Sequence, residues 1–181
     1  MSNTIRDDVK LIVGDEMESL RERIIANHEA ARQVASGRTR DSIRVELTED
    51  GGILWGRQAF GVLETGRKPG KMPKGFGDII RQWIIDKGID VKPIPYKRKP
   101  NGRWSPKYTP EERGLTSLSW AIASKIAREG TEMYRTGQKK DIYSTDMERT
   151  IQEIESRVLG IFDTEVEHIN LNFKNDEDSN I

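Results

Sequence analysis

Hydrophobic residues recur at steps of three and four along the start of the chain, and charged residues occupy the opposite side. The stripe consists of Ile5, Val9, Ile12, Val13, Met17, Leu20, Ile24 and Ala31. Such spacing places the apolar side chains on one face of an amphipathic α-helix. It predicts a long N-terminal helix over residues 3–35. Gly37 follows this segment and suits the left-handed position that commonly ends a helix.

Strict alternation of apolar and polar residues replaces the helical spacing between Ser42 and Thr48. The apolar positions are Ile43, Val45 and Leu47. This pattern is typical of a half-buried strand. Residues 49–52, Glu-Asp-Gly-Gly, are a hairpin turn signal, and residues 53–55 begin the returning strand. For residues 59–63 the pattern fits either a further strand or one helical turn.

Three more helices follow from apolar spacing and from start signals. A short one is expected over residues 78–87, with Gly88 as its stop. Another starts at Thr109-Pro110-Glu111-Glu112, where a capping residue, a proline and a glutamate occur in the order typical of a helix start. It continues toward Met133, weakened at Gly130. A second capping box at residues 145–148 opens a C-terminal helix over 145–171.

Strands that are segregated from helices favour an α+β fold, a small antiparallel β-sheet flanked by helices. The long N-terminal and C-terminal helices enclose a core region over residues 36–140. We therefore expect a single α+β domain over residues 1–171. The remaining residues, 172–181, are polar and acidic, and we expect them to form a disordered tail.

Net charge is zero, yet the charges are unevenly distributed along the chain. Residues 57–107 contain 13 Lys and Arg against 4 Asp and Glu, whereas residues 141–181 contain 3 against 11. Two solvated faces of opposite sign would explain this distribution. So would head-to-tail contact, in which the acidic end of one subunit meets the basic middle of its neighbour. A basic face turned toward nucleic acid is the third explanation.

Residues Gly66–Gly75, here called the basic turn, carry four cations and no acid. The expected contact residues of this segment are Glu64 at its base and then Gly66, Arg67, Lys68, Pro69, Gly70, Lys71 and Lys74. Proline removes backbone donors and glycine allows unusual dihedral angles, so the segment is neither helix nor core. Exposed loops on a compact domain often carry function, and we expect this one to contact a partner.

Residues 92–107, here called the proline-rich segment, mix cations with aromatic residues. Its candidate contact residues are Tyr96, Lys97, Arg98, Lys99, Arg103, Trp104 and Lys107. This mixture suits backbone contacts and base stacking on nucleic acid. Alternatively, Trp104 and Tyr108 attach the segment to the domain while the cations stay hydrated. No nucleic-acid-binding signature accompanies the patch, which favours the second interpretation.

Catalytic signatures are weak. The chain has no cysteine, which excludes disulfides and thiolate chemistry, and neither His28 nor His168 has a second ligand at metal spacing. We expect both histidines to be half-exposed helix residues. An arrangement of Asp78, Asp90 and Lys92 is the best candidate for a metal-dependent nuclease site. This interpretation is weaker than partner contact by the basic turn and weaker than nucleic-acid binding by the proline-rich segment. We expect no enzyme activity, no cofactor and no metal.

Membrane segments are not expected, because no apolar run approaches the roughly 18 residues of a membrane-spanning helix. The N-terminus, MSNTIRDD, also lacks the pattern of a signal peptide. Both observations favour a protein made and folded in a cytoplasm.

The succession of motifs resembles the tail-completion and minor tail proteins of tailed bacteriophages, which belong to the neck that joins head to tail. The motifs are SGRTRDSIRVEL, FGVLETGRKPGKMP, IIRQWIIDKGI and AIASKIAREGT, and they cover about residues 30–140. In that family a strand ends in an aromatic residue, which is followed by a glutamate and a glycine-rich turn. Phe60, Glu64, Thr65 and Gly66 correspond to these positions. A basic or proline-bearing loop comes next, matched by residues 67–75. The long first helix, the proline-rich segment and the acidic last helix depart from the compact family pattern.

The resemblance implies a structural subunit without catalysis. Its implied partners are copies of itself in a ring, together with other neck, portal-adaptor and tail proteins and non-specific contact with packaged DNA. Its implied location is the virion, after synthesis in the host cytoplasm. Under this hypothesis Glu64 accepts hydrogen bonds from the glycine-rich turn, and the four cations of the basic turn project toward a neighbouring ring or the DNA channel.

Overall fold

A computed structural model describes residues 3–97 and 106–178, with only the helical backbone described at residues 3, 4 and 168–178. The helices are α1 (Asn3–Ala30), α2 (Phe76–Asp86), α3 (Pro110–Glu129), α4 (Glu132–Thr136) and α5 (Ser144–Asp178); the strands are β1 (Arg44–Leu47) and β2 (Gly52–Trp55). The fold class is α+β, with a small antiparallel sheet and long N- and C-terminal helices, as the sequence predicted. Residues Gln58–Val62, left open between strand and helix, form a short 3-10 helix.

Contacts within the chain define two compact units, where the sequence predicted one domain. Unit 1 comprises the chain up to Arg32, Ser42–Gln58 and the chain from Asp141 onward. Unit 2 comprises Gln33–Asp41 and Ala59–Lys140. Unit 1 therefore contains α1, the strands and α5, whereas unit 2 contains the other helices, the basic turn and the described ends of the proline-rich segment.

The core of unit 1 forms where α1 packs against the hairpin and α5. Its buried apolar side chains are Met17, Leu20, Ile24, Ile43 and Ile142. Three of these belong to the stripe that predicted α1, so the helical periodicity identified the buried face correctly. A Cβ placed on Gly52 would lie 2.8 Å from Met17 Cγ, so glycine at this position lets β2 approach α1 closely.

The hairpin forms at the predicted turn, but β2 begins at Gly52, one residue before the expected start at 53. Arg44 pairs with Trp55, and Leu47 pairs with Gly52. The turn closes through a hydrogen bond of 2.8 Å from the Thr48 amide to the Gly51 carbonyl. Alternation holds at Ile43, which is buried, but Leu47 at the end of β1 is 52% exposed.

Helix α1 ends at Ala30, earlier than the expected residue 35. Arg32 takes a left-handed conformation with φ of 55°, and its amide donates to the Glu29 carbonyl, so the chain leaves the helix before reaching Gly37. His28, expected to be half-exposed, is only 2% exposed.

Polar side chains join α1 to α5 and fix the two helices antiparallel. Arg23 donates to the Thr150 hydroxyl at 2.6 Å and forms an ion pair with Asp146 at 3.2 Å. One turn along α1, Asn27 donates to the same carboxylate at 2.6 Å. Thr150 is 2% exposed, so this hydroxyl is shielded from water and its hydrogen bond is structurally important.

Helix α5 differs at both ends from the prediction of residues 145–171. It begins at Ser144, and the Thr145 amide donates to the Asp141 carboxylate at 3.3 Å. Thr145, predicted to cap the helix, therefore lies inside it. At the other end the helix continues to Asp178, through most of the segment that we expected to be a disordered tail.

Unit 2 is built on the pairing of α2 with α3. Ile80, Ile84 and Ala123 are buried where the two helices meet. The start of α3 is the predicted capping box, in which Thr109 accepts from the Glu112 amide and Glu112 accepts from the Thr109 amide. The helix ends at Glu129, since Gly130 has a φ of 81° and the chain then restarts as α4.

Across the described ranges, none of the helices is both long enough and apolar enough to cross a membrane.

Candidate functional site

The basic turn begins with a left-handed glycine that lies against another segment of unit 2. Gly66 has a φ of 73°, and its amide donates to the Val62 carbonyl at 2.9 Å. A Cβ at this position would lie 2.3 Å from Thr131 Oγ1 and 2.9 Å from the Tyr134 amide nitrogen. Both the dihedral angle and the close approach therefore require glycine.

Hydrogen bonds tie the turn to the region where α3 ends and α4 begins. The Arg67 amide donates to Thr131 Oγ1 at 3.0 Å, and the Thr131 amide donates back to the Arg67 carbonyl at 2.9 Å. Three residues further on, the Gly70 amide donates to the Ala127 carbonyl at 2.8 Å. Ala127 belongs to the last turn of α3, where carbonyls lack partners within the helix. The turn is thus held at two separate points.

Arg67 is part of the turn's own structure, which corrects the expectation that all four cations project outward. Its guanidinium donates to the Lys71 carbonyl at 3.0 Å and stacks over the Phe76 ring at 4.7 Å. The side chain is half-buried, and its Nη1 atom is shielded from water without a hydrogen bond. Cation–π contact and hydrogen bonding make Arg67 a brace across the turn.

Lys68, Lys71 and Lys74 are the cations that the turn does present. All three residues are exposed, and within the described part of the chain no carboxylate forms an ion pair with them. The backbone on either side of Lys68 is held by the hydrogen bonds of Arg67 and Gly70. The turn therefore presents positive charge from a fixed backbone, which limits the entropy lost when a partner binds.

Glu64 lies at the base of the turn, as expected, and is only 6% exposed. Its backbone carbonyl accepts from the Lys140 amide at 3.0 Å. We expected its carboxylate to accept hydrogen bonds from the glycine-rich turn. The amides of Gly66, Arg67 and Gly70 donate to the acceptors described above, and hydrogen bonding of the Glu64 carboxylate to other groups of the turn stays a prediction.

A shallow cleft of about 480 Å³ adjoins the basic turn. Its wall includes Val62, Pro69 and Tyr134, together with the turn itself. Val62 is 41% exposed and Tyr134 is 47% exposed, so apolar surface lies next to Lys68. Sequence reasoning missed Thr131 and Tyr134. The break at Gly130 marks their neighbourhood, but nothing local links it to residue 66.

The described ends of the proline-rich segment are attached to the start of α3. The Ile94 amide donates to the Pro110 carbonyl at 2.8 Å, and the Tyr96 hydroxyl donates to the Tyr108 carbonyl at 3.0 Å. Arg113 lies 4.0 Å from the centroid of the Tyr96 ring and donates to the Ile94 carbonyl at 3.1 Å. One face of Tyr96 is thereby covered, so Tyr96 attaches the segment; Tyr108, to which the sequence assigned this role together with Trp104, is 44% exposed.

Two of the other candidate residues of the segment, Lys97 and Lys107, lie within the described part of the chain. Lys97 and Lys107 are exposed, and the Lys107 ammonium lies 5.2 Å from the centroid of the Tyr108 ring. Four candidates lie outside the described residues: Arg98, Lys99, Arg103 and Trp104.

Asp78, Asp90 and Lys92, the residues of the nuclease alternative, are all exposed. Asp78 lies in the first turn of α2, where a carboxylate compensates the helix dipole. The Lys92 carbonyl packs against Gly114 of α3, where a Cβ would approach it to 2.3 Å. No group of three or more His, Asp or Glu side chains suited to a metal ion occurs among residues 5–97 and 106–167.

Comparison with protein-family models, with curated proteins and with solved structures found no match to this chain.

Proposed function

We propose that this chain is a structural protein of a tailed-bacteriophage virion, a tail-completion or minor tail protein that forms a ring at the head–tail junction. In this role it catalyses no reaction. Its partners are copies of itself, neighbouring neck, portal-adaptor and tail proteins and, without sequence preference, packaged DNA. It is made in the host cytoplasm and resides in the virion.

One observation carries the proposal: the basic turn is rigidly held yet exposes three unpaired lysines. The motif that resembles the phage family, residues 60–73, is the segment that contains most of this turn. Backbone hydrogen bonds of Gly66, Arg67 and Gly70 fix the turn. The side chains of Lys68, Lys71 and Lys74 remain exposed to a partner. A turn whose backbone is held by hydrogen bonds and whose lysine side chains are exposed suits attachment to a larger assembly better than it suits chemistry on a small substrate.

Virions that carry the triple substitution Lys68, Lys71 and Lys74→Ala provide the test. We expect a folded chain and an accumulation of filled heads without tails, counted by negative-stain electron microscopy. The physical reason is that the substitution removes the exposed charges and leaves every backbone hydrogen bond of the turn in place. Circular dichroism of the purified variant measures whether it folds.

A matched control changes net charge by the same amount at exposed lysines of unit 2 outside the turn, through Lys125, Lys139 and Lys140→Ala. We expect normal particles from this control. The proposal is refuted by normal tails on the turn variant. It is equally refuted by mass spectra of purified virions that contain no peptide of this chain.

A second candidate function is non-specific nucleic-acid binding by the proline-rich segment. It is favoured by exposed Lys97 and by exposed Lys107, whose ammonium lies near the ring of the 44% exposed Tyr108. The test is fluorescence anisotropy of a labelled single strand at increasing salt. Binding through phosphates weakens steeply as salt rises. Loss of binding in a Lys97, Lys107 and Tyr108→Ala variant would support this function, and no binding at low salt would exclude it.

A further inference from the structure

The middle of α5 has an exposed face on which acidic and apolar residues alternate. This acidic face consists of Glu155, Leu159, Asp163, Val166 and Glu167. Steps of four, four, three and one place these five residues along one side of a helix. Leu159 is 62% exposed and Val166 is 55% exposed, although both are apolar.

The carboxylates of this face have no partner within the described structure, in contrast to others of unit 1. Glu16 forms an ion pair with Arg157 at 2.7 Å, and Glu153 forms one with Arg149 at 2.7 Å. Glu155, Asp163 and Glu167 form none with any described cation. Three negative charges and two apolar side chains are thus exposed together.

The basic turn has the complementary composition. Lys68, Lys71 and Lys74 are exposed without ion pairs, and the exposed side chains of Val62 and Tyr134 line the cleft together with Lys68. Each surface therefore combines three unpaired charges of one sign with two exposed apolar side chains. Complementary charges of this kind set the register and partner choice of interfaces, and the apolar groups gain from leaving water.

We propose that the acidic face of α5 in one copy of this chain docks on the basic turn of a second copy. The two surfaces differ, so the contact is heterologous, and repetition of such a contact generates a ring when the rotation closes. The inference rests on the proposed function in that a neck ring requires copies to meet. It names the surfaces through which they do so.

Charge reversal of either surface tests the docking. In the turn variant Lys68, Lys71 and Lys74 become Glu, and in the helix variant Glu155, Asp163 and Glu167 become Lys. Sedimentation velocity on the purified chain, up to about 1 mM, measures association. We expect wild type to associate and to dissociate as salt rises from about 0.1 to 1 M, where the screening length falls from about 10 to 3 Å.

Each reversed variant alone should associate at least about 100-fold more weakly than wild type, because like charges then face each other. An equimolar mixture of the two should recover association, since each reversed surface meets its complement on the other variant. Recovery in the mixture requires contact between copies. A control with Lys125, Lys139 and Lys140→Glu should associate as wild type does.

Cysteine crosslinking locates the contact, because the natural chain has no cysteine to interfere. Lys71→Cys copies mixed with Asp163→Cys copies should form a disulfide-linked heterodimer on oxidation. Lys71→Cys mixed with Glu22→Cys, at an exposed site on α1, should not. Monomeric wild type at every concentration, no recovery in the mixture, or equal crosslinking at Glu22 would each overturn the proposal.

These outcomes separate the inference from the proposed function. If the purified chain fails them while the alanine variant of the turn still yields heads without tails, the docking surface is refuted and the virion role stands. If the copies associate as described but tails attach normally in that variant, the virion role is refuted and the docking surface stands.

Discussion

Replacing Gly66 by Ala perturbs the basic turn at the point where it meets Thr131. The matched control is Gly75→Ala at the other end of the turn. The φ angles are nearly equal, 73° at Gly66 and 74° at Gly75, so both substitutions force alanine into the left-handed region. Only Gly66 is crowded, because a Cβ on Gly75 would meet no atom within 4 Å.

The two substitutions therefore share one energetic cost and differ in a second. The left-handed conformation costs an alanine about 1–2 kcal/mol in either position. At Gly66 the new methyl would also lie 2.3 Å from Thr131 Oγ1, and relieving that clash separates Thr131 from Arg67. Two hydrogen bonds join these residues, each worth about 0.5–1.5 kcal/mol. We expect Gly66→Ala to lose about 1–3 kcal/mol more stability than Gly75→Ala.

Urea unfolding of the purified variants measures this difference, and hydrogen–deuterium exchange of peptides covering residues 62–72 locates it. Exchange in those peptides should accelerate more in Gly66→Ala than in Gly75→Ala, because the Arg67 and Gly70 amides lose protection when the turn detaches. Equal destabilisation by the two substitutions would refute the claim that the turn is fixed by its contact with Thr131.

Three further predictions concern the two units. Ile84→Ala, at a core residue only 1% exposed, should lower the free energy of unfolding by about 2–5 kcal/mol in urea, whereas Ile85→Ala, at a 49% exposed residue, should cost less than about 1 kcal/mol. Arg23→Met removes the hydrogen bond to Thr150 and the ion pair with Asp146, which join α1 to α5, and should cost about 1–3 kcal/mol; unchanged urea unfolding would show that the packing of α1 on α5 does not depend on them. The hydrogen bond from Arg128 holds the pKa of the Glu129 carboxyl below its usual value, so its small contribution to stability is present at neutral pH and is lost as the pH falls through the native pKa. An NMR titration should show that pKa moving upward in Arg128→Ala, and an unmoved pKa would contradict the assignment.

Local patterns predicted the elements well because their signals lie within a few residues of each other. The hairpin follows from alternation over residues 42–48 and from the turn signal that comes next, and the start of α3 follows from Thr109 and Glu112, which cap each other in the structure. The buried stripe of α1 was likewise predictable, since packing uses the same periodicity that defines the helix.

Contacts between distant residues could not be predicted in this way. The sequence marks Gly66 as a turn residue, but nothing near it indicates that it touches Thr131. Arg67 and Lys68 are adjacent cations, yet Phe76 and the Lys71 carbonyl bind only the first. The start of α5 was misplaced by one residue because Asp141, rather than Thr145, supplies the acceptor for the exposed amide.

Unit 1 is assembled from segments that are far apart in the chain, and this has a consequence for its synthesis. About 110 residues separate the end of α1 from the start of α5. At about 5–20 residues per second a ribosome needs roughly 6–20 s to translate them. Throughout that interval the apolar stripe of α1 lacks the helix that covers it, while the residues of unit 2 are translated. We therefore expect unit 2 to fold before unit 1 is complete, and we expect a chaperone that binds amphipathic helices to have its best opportunity during this interval.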